Sequence, residues 1–252
     1  AAARMLLDLG AEVRIADQKT EADFGDQLSE LKLEGVEWRL GEPAEGLLDG
    51  MDLLVVSPGV PVTHSAVTEA RRRDIPVVGE LELASRHAQG RLIAITGTNG
   101  KTTTCTLTGE IFKNAGKLTY VVGNIGYPYS AVALKTRPED VTVCEVSSFQ
   151  LETVERFHPS ITAILNITED HLNRHGTMAV YTQLKARVFE NQTADDTLIL
   201  NYDDPALREM ASSARSRVRW FSRTAIPPKG AFVAGGSVVY GTADDYRAIC
   251  VA

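Results

Sequence analysis

The residues with the clearest chemical role form a glycine-rich turn between an apolar run and a lysine. The run 92–96 is apolar and β-branched, and the sequence GTNGKTT follows it directly. Glycines let backbone N–H groups surround phosphate oxygens, and the N-terminus of the next helix favours negative charge. Lys101 is placed to neutralise the β- and γ-phosphates of a nucleotide, and the Thr102 hydroxyl to ligate Mg²⁺. We therefore expect a phosphate site made by Gly97, Thr98, Asn99, Gly100, Lys101, Thr102 and Thr103.

Three polar residues farther along the chain follow predicted strands or lie on the next helix. Glu145 ends an apolar strand, where it is either a carboxylate that holds a metal on nucleotide phosphates or a solvated residue at the strand end. His171 follows another strand and is either a metal or substrate contact or an ordinary histidine. Lys185 lies on the apolar stripe of a helix, four residues after Tyr181, so it either extends along its stem to solvent or reaches into a site. Sites in open α/β sheets lie outside the carboxyl ends of strands, which places these residues near the glycine-rich turn.

The first third of the chain carries weaker signals of the same kind. SPGVP, which begins at Ser57 and includes Gly59, follows a strand and precedes a helix. Its small residues can bring backbone N–H groups close to a phosphate, although SPG is also a plain turn. Asp17 ends the predicted strand 13–16. A carboxylate at that position can contact a nucleoside, although aspartates are common at strand ends.

These residues depend on an alternation of short β-rich runs and helical patterns, which is typical of βαβ units around a mostly parallel sheet. The patterns predict strands at 13–16, 53–56, 76–78, 92–96, 141–146, 161–165 and 197–200. They predict helices at 1–9, 62–73, 101–114, 178–191 and 205–214. Short β-like runs broken by Gly and Pro follow Arg217 and predict a small antiparallel extension. The fold class is therefore α/β.

Charge divides the chain into two parts. Residues 1–89 hold 9 basic and 17 acidic side chains, whereas residues 90–252 hold 17 and 16. The change falls at a short polar stretch, His87-Ala88-Gln89-Gly90, which suits a linker. We expect two domains, 1–89 and 90–252.

Composition limits the function classes. An apolar share of 44% and a charged share of 23% exclude disordered and fibrous proteins. The net charge of −7 argues against a broad nucleic-acid surface, and no apolar run reaches the length of a membrane span. Three separated cysteines without a CxxC pair predict small buried residues in a reducing cytosol. We expect a cytoplasmic monomer that binds neither nucleic acid nor membrane.

The combination of these motifs resembles the Mur ligase family, and the similarity extends over almost the whole chain. The segments that match the family in order and spacing are SPGVP (57–61), GELEL (79–83), ITGTNGKTTT (95–104), GNIG (123–126), EVSSFQLE (145–152), NITEDHLNRHG (166–176), YTQLKARVFEN (181–191) and NYDDPAL (201–207). GNIG and EVSSFQLE favour the member that adds D-glutamate. Asn173 and Tyr202 depart from the family pattern, at positions to which we assign no role.

The resemblance implies a Rossmann-like N-terminal domain that binds a UDP-linked substrate and a P-loop ATPase-type central domain. It implies ATP and Mg²⁺ as cofactors, and UDP-N-acetylmuramoyl-L-alanine and D-glutamate as substrates. Lys101, His171 and Lys185 would then be catalytic. One Mg²⁺ would be held by Thr102 and Glu145, and a second by His171 and a carbamylated Lys185. The substrate contacts it implies are Asp17, Gln18, Ser57, Gly59, Asn124, Gln150 and His171.

The family pattern also includes parts that this sequence lacks. These are a glycine-rich turn before Ala1, an adenine-contacting motif after Ala252 and a third domain with the D-glutamate site. We therefore expect the 252 residues to be truncated at both ends and unable to complete the ligation. Two alternatives stay open, namely another amide ligase such as a sister Mur ligase or a folylpolyglutamate synthetase, and a nucleotide-binding module without turnover.

Overall fold

A computed structural model describes residues 1–25, 33–43 and 46–251, so Ala252, the last residue of the second predicted domain, lies outside it. Within these ranges the α-helices are α1 (Ala2–Asp8), α2 (Glu21–Phe24), α3 (Ser65–Arg72), α4 (Glu80–His87), α5 (Lys101–Asn114), α6 (Ser148–Leu151), α7 (Leu172–His175), α8 (Met178–Ala186) and α9 (Pro205–Met210). The strands are β1 (Val13–Asp17), β2 (Val36–Leu40), β3 (Leu54–Val56), β4 (Val77–Gly79), β5 (Arg91–Thr96), β6 (Thr119–Gly123), β7 (Val141–Glu145), β8 (Ile161–Ile164), β9 (Thr197–Asn201), β10 (Arg217–Phe221), β11 (Gly230–Ala234), β12 (Ser237–Gly241) and β13 (Tyr246–Val251). This confirms the α/β class.

The second half is built on one nine-stranded sheet, in the order β13-β12-β11-β10-β9-β8-β5-β7-β6. Its pairs from β6 across to β11 are parallel, and only β11-β12-β13 run antiparallel. The predicted antiparallel extension is therefore present but starts later than expected. The first strand after residue 216, β10, pairs in parallel with β9 and continues the main sheet.

The described residues of the first half form two parallel strand pairs, β1 with β2 and β3 with β4. The apolar side chains of both halves meet in one cluster, in which Met5 and Val78 pack with Leu81, Tyr129 and Phe157. Helix α4 lies at this junction and packs against the short 3₁₀ helix Tyr129–Ala131. In the described part of the chain, no helix is long and apolar enough to cross a bilayer.

Several boundaries differ from the sequence prediction. Helix α8 ends at Ala186 rather than residue 191, because the chain tightens into the 3₁₀ helix Arg187–Phe189. There Arg187 donates hydrogen bonds to the carbonyl oxygens of Leu151, Glu152 and Val154, which hold this turn against the neighbouring loop.

Two further predictions are wrong, namely the burial of Cys250 and the start of the helix predicted at 62–73. Cys105 and Cys144 are buried as expected, but Cys250 is exposed, because it lies on β13 at the edge of the sheet. Helix α3 begins at Ser65 rather than residue 62, because His64 takes an extended conformation and its ring nitrogen Nδ1 accepts the N–H of Ala66.

Candidate functional site

The glycine-rich turn lies between β5 and α5, as the sequence predicted, and it is fixed by contacts with the segment that follows β8. Gly97 has a φ of +143°, and a Cβ there would lie 3.1 Å from the Cβ of Leu165. The N–H of Asn99 donates to Oδ1 of Asn166 over 2.8 Å. Gly100 has a φ of +83° and caps α5. The turn therefore needs glycine at two positions and presents the N-terminus of a 14-residue helix.

Lys101 folds back over this turn. Its Nζ donates to the carbonyl oxygens of Gly97, over 3.0 Å, and Thr98, over 2.8 Å. The positive charge is therefore held inside the concave side of the loop, where phosphate oxygens would be bound.

The carboxylate of Glu145 faces the first turn of α5. Its side chain is almost fully buried, with a residue exposure of 2%. One oxygen accepts the Thr102 hydroxyl over 2.9 Å, and the other accepts the Asn124 amide Nδ2 over 2.9 Å. Carboxylate and hydroxyl oxygens are the donors that Mg²⁺ prefers, and Mg²⁺ sites commonly use few protein ligands together with phosphate and water. The pair of Thr102 and Glu145 fits such an ion.

Lys185 is buried next to the same loop, with 2% exposure. Its Nζ donates to the hydroxyl of Thr96, over 3.1 Å, and to the carbonyl oxygen of Gly97, over 3.0 Å. Burial, and secondarily the charge of Lys101, lowers the pKa of Lys185 to about 7. The alternative that this lysine extends to solvent is therefore wrong.

His171 has a different environment from Lys185. It adopts a left-handed conformation with a φ of 52°, and its side chain is 47% exposed. Nε2 lies 3.3 Å from a carboxylate oxygen of Asp170, and the ring centroid lies 4.8 Å from that of Phe149. Among the described residues, no hydrogen bond joins His171 to Lys185, and no group of three His, Cys, Asp or Glu side chains forms a ready metal site. A second metal here would need a ligand that an unmodified lysine does not supply.

The remaining predicted substrate contacts lie in two places. Gln150 caps its own helix, because its Oε1 accepts the N–H of Ser147 over 2.9 Å. Asn124 and Glu145 hold each other at the ends of β6 and β7, since the N–H of Asn124 also donates to the Glu145 carbonyl. Both amides therefore belong to the second half, and Asn124 lies directly beside Glu145.

The first-half contacts form a separate group. Gln18 lies next to His64, with 2.8 Å between their side-chain nitrogens, so the end of β1 reaches the start of α3. Asp17 accepts the N–H of Lys19. The carbonyl oxygen of Ser57 accepts the N–H of Val60, which closes the SPG turn. Among the described residues, a Cβ on Gly59 would meet no atom within 4 Å.

Two residues of this region were not singled out from the sequence. Thr96 donates to the carbonyl oxygen of Val146 and accepts from Lys185, so it joins β5, β7 and α8. Arg174 joins SPGVP to the second half. Its position three residues after His171 carries no distinguishing signal, because arginines on short exposed helices are common.

Comparison with known proteins agrees with this arrangement. Residues 95–229, more than half of the chain, match the Mur ligase middle domain. The chain belongs to the Mur ligase family. Residues 1–79 of this Mur ligase also match the N-terminal domain described as Mur ligase MurD-like.

Two curated relatives are both UDP-N-acetylmuramoylalanine–D-glutamate ligases. That of Pelotomaculum thermopropionicum is 48% identical over 99% of this chain and 55% of its own length. That of Alkaliphilus metalliredigens is 47% identical over 91% of this chain and 51% of its own length. This Mur ligase chain thus spans about half the length of the curated relatives it matches.

The solved structures show the same fold at low sequence identity. The UDP-N-acetylmuramate:L-alanyl-γ-D-glutamyl-meso-diaminopimelate ligase of Neisseria meningitides has a TM-score of 0.62 and 16% identity, and the match covers 98% of this chain and 79% of that one. MurF of Acinetobacter baumannii has a TM-score of 0.54 and 18% identity, over 95% and 52% of the two chains.

Proposed function

We propose that the chain forms the ATP-binding and UDP-substrate-binding part of the ligase that adds D-glutamate to UDP-N-acetylmuramoyl-L-alanine. The main observation behind the proposal is the hydrogen bond that the Thr102 hydroxyl donates to the Glu145 carboxylate. Thr102 lies at the start of the helix that follows the glycine-rich turn. The curated relatives at 47% and 48% identity support the choice of D-glutamate over other amino acids.

The nucleotide in this proposal is ATP, bound by the residues 97–103. Support comes from the concave loop, from Lys101 inside it and from a MurF structure of Thermotoga maritima in complex with ADP, which has a TM-score of 0.50. Thr102 and Glu145 would hold Mg²⁺ on the phosphates, where the ion lowers the charge that opposes nucleophilic attack.

We further propose that Lys185 carries a carbamate and, with His171, binds a second Mg²⁺. A pKa near 7 leaves much of the amine neutral at physiological pH, and only the neutral amine attacks CO₂. The carbamate would give this buried position the oxygen ligands that Mg²⁺ prefers. The open side of His171 is available to such an ion.

The reaction proposed has two steps. The L-alanine carboxylate attacks the γ-phosphorus of ATP, which forms an acyl phosphate and releases ADP. The amine of D-glutamate then attacks the acyl carbon, which forms the amide and releases phosphate. Lys101 would offset the negative charge that builds up on the transferred phosphoryl group, because it is already oriented by two loop carbonyls.

Substrate recognition is assigned to both halves. Asp17 and Gln18 would lie near the uracil, and Ser57 and Gly59 near the diphosphate. Asn124, Gln150 and His171 would face the sugar. A domain boundary near residue 89 is supported by family matches that end at residue 79 and begin at residue 95. A cytoplasmic monomer remains part of the proposal.

The test is calorimetric titration of the chain with MgATP and MgADP. We expect Lys101→Ala to weaken both affinities about 10- to 100-fold, which is the effect of losing one charged hydrogen-bonding group. Lys113→Ala is the matched control, because Lys113 lies on the same helix and pairs with Glu110 on its surface. Equal affinities for the Lys101 variant and the unmodified chain would contradict the assignment.

A further inference from the structure

Arg174 joins two segments that lie more than a hundred residues apart in the sequence. Its Nη1 donates to the carbonyl oxygen of Gly59 over 3.3 Å, and its Nη2 donates to that of Val60 over 3.2 Å. Both carbonyls belong to the segment SPGVP, which we place against the diphosphate. Arg174 itself lies on α7, three residues after His171.

The guanidinium is fixed from its other edge by an ion pair. Nε donates to Oε1 of Glu152 over 3.1 Å, and Nη2 donates to Oε2 over 2.6 Å. The Arg174 side chain is 18% exposed and the Glu152 side chain is 9% exposed, so the pair is largely removed from water. The guanidinium carbon also lies 5.1 Å from the ring centroid of Phe149, whose ring packs against that of His171.

This arrangement separates Arg174 from an ordinary anion ligand. The carboxylate of Glu152 already neutralises its charge, and both Nη groups and Nε are engaged by Glu152, Gly59 and Val60. The planar fork of an arginine can hold a carboxylate on one edge and two carbonyls on the other, which the single ammonium of a lysine cannot do.

We propose that Arg174 is a positioning residue that holds the diphosphate loop of the first half at a fixed distance from the His171 segment of the second half. The proposal rests on the proposed function. A substrate that contacts both halves depends on this distance. UDP alone, whose contacts are assigned to the first half, and MgADP, whose contacts are assigned to the second, do not depend on it.

The test compares Arg174→Met and Arg174→Lys with Arg156→Met, a control that removes an exposed arginine of the second half. Calorimetry would measure the affinity of each protein for UDP, MgADP and UDP-N-acetylmuramoyl-L-alanine. We expect both Arg174 variants to bind UDP-N-acetylmuramoyl-L-alanine at least tenfold more weakly and MgADP with less than a twofold change. The affinity for UDP should fall less than that for UDP-N-acetylmuramoyl-L-alanine, because UDP contacts the loop but not the second half. The lysine variant should not rescue binding, because it restores the charge without the fork.

Hydrogen–deuterium exchange without any ligand gives a second measurement. Peptides that contain residues 57–61 should exchange faster in Arg174→Met than in the unmodified chain, while peptides from α5 should not change. Unchanged exchange at 57–61 would overturn the positioning role. An equal loss of affinity for UDP and for UDP-N-acetylmuramoyl-L-alanine would also overturn it. If the unmodified chain bound no UDP-linked substrate, the proposed function would fail, while the exchange experiment would still decide the role of Arg174.

Discussion

Burial in the folded chain changes the acid–base chemistry of Lys185. Its ammonium is buried, donates hydrogen bonds to two neutral oxygens, the hydroxyl of Thr96 and the carbonyl of Gly97, and lies 5.3 Å from the ring centroid of Tyr181. Removing a charge from water without a direct counter-charge favours the neutral amine, and the pKa falls to about 7. The same burial that favours the neutral amine also reduces the stability of the folded chain near neutral pH.

The consequence is a pH dependence of stability. Because the pKa of Lys185 is about 7 in the folded chain and near 10.5 when unfolded, the unfolded state binds more protons between these values. The free energy of unfolding should therefore rise with pH from about 7 to 10, by up to about 1.4 kcal/mol per unit from this group. Below pH 7 the contribution is constant, since both states are then protonated.

The measurement is urea unfolding at several pH values in CO₂-free buffer, with Lys185→Met as reference. The difference between the two proteins isolates this group from other titrating residues, such as Cys105, whose pKa burial raises to about 12. We expect the free energy of unfolding of the unmodified chain to rise with pH relative to that of the variant. A difference independent of pH would show that Lys185 is protonated throughout.

At the scale of single residues, the sequence predicted the site residues that lie beside a strong local sequence pattern. Lys101 and Glu145 follow buried strands at the carboxyl edge of the sheet, where the structure has them. Thr96 and Arg174 act through contacts that the spacing of residues along the chain does not reveal, because Thr96 bonds to Val146 and Arg174 bonds to Gly59, 50 and 115 residues away.

At the scale of elements, the turn between β5 and α5 is the most constrained part of the site. Gly97 combines a positive φ with contact against Leu165, so alanine there meets both backbone strain and a neighbour at 3.1 Å. We expect Gly97→Ala to lower the free energy of unfolding by about 2–4 kcal/mol and to weaken MgATP binding at least tenfold. Urea unfolding and calorimetry measure the two effects.

Gly116 provides the matched control for this substitution. It follows the same helix and also has a positive φ, of +76°, but a Cβ there would meet nothing within 4 Å. Gly116→Ala should therefore cost only about 1 kcal/mol and leave nucleotide binding unchanged. Equal losses at both glycines would mean that strain alone, and not the contact with Leu165, fixes the turn.

Elements with a clear pattern were predictable, and elements fixed by tertiary contacts were not. Helix α5 has the predicted bounds, because glycine precedes it and Ala115-Gly116 ends it. Strands β2 and β6 were missed. In β2 the residues Glu37 and Arg39 alternate with apolar ones and form ion pairs, so this strand lacks the continuous apolar run by which most of the other strands were predicted.

At the scale of the whole molecule, the two halves are joined by a buried carboxylate. Glu82 on α4 is fully buried and accepts the N–H groups of Glu155, Arg156 and Phe157, together with Nε of Arg86. Four donors converge on this carboxylate, and three of them are backbone groups of the second half. Helix α4, which follows the first strand pairs, is therefore anchored to the second half.

We expect Glu82→Gln to lower the free energy of unfolding by about 2–4 kcal/mol, because an amide cannot accept these bonds as strongly and presents N–H groups to other donors. Glu155→Gln is the control, since Glu155 also pairs with Arg86 but is exposed. Urea unfolding would measure both. A cost below about 1 kcal/mol for Glu82→Gln would contradict the anchoring role.

The sequence predicted two halves but not how they meet. Charge and linker composition indicated the division, whereas the order of strands in the nine-stranded sheet and the packing of α4 depend on long-range contacts. The residues that join the halves, Glu82 and Arg174, lie in motifs that also fit ordinary surface helices. Their roles become visible only once the chain is folded.

We propose that one chain holds a nucleotide and a UDP-linked substrate at two separate loops. Calorimetric titration with UDP-N-acetylmuramoyl-L-alanine, first on the free chain and then on the chain saturated with MgADP, tests this directly. We expect one molecule of each ligand per chain, bound at the same time. Mutual displacement of the two ligands, or binding of neither, would contradict it.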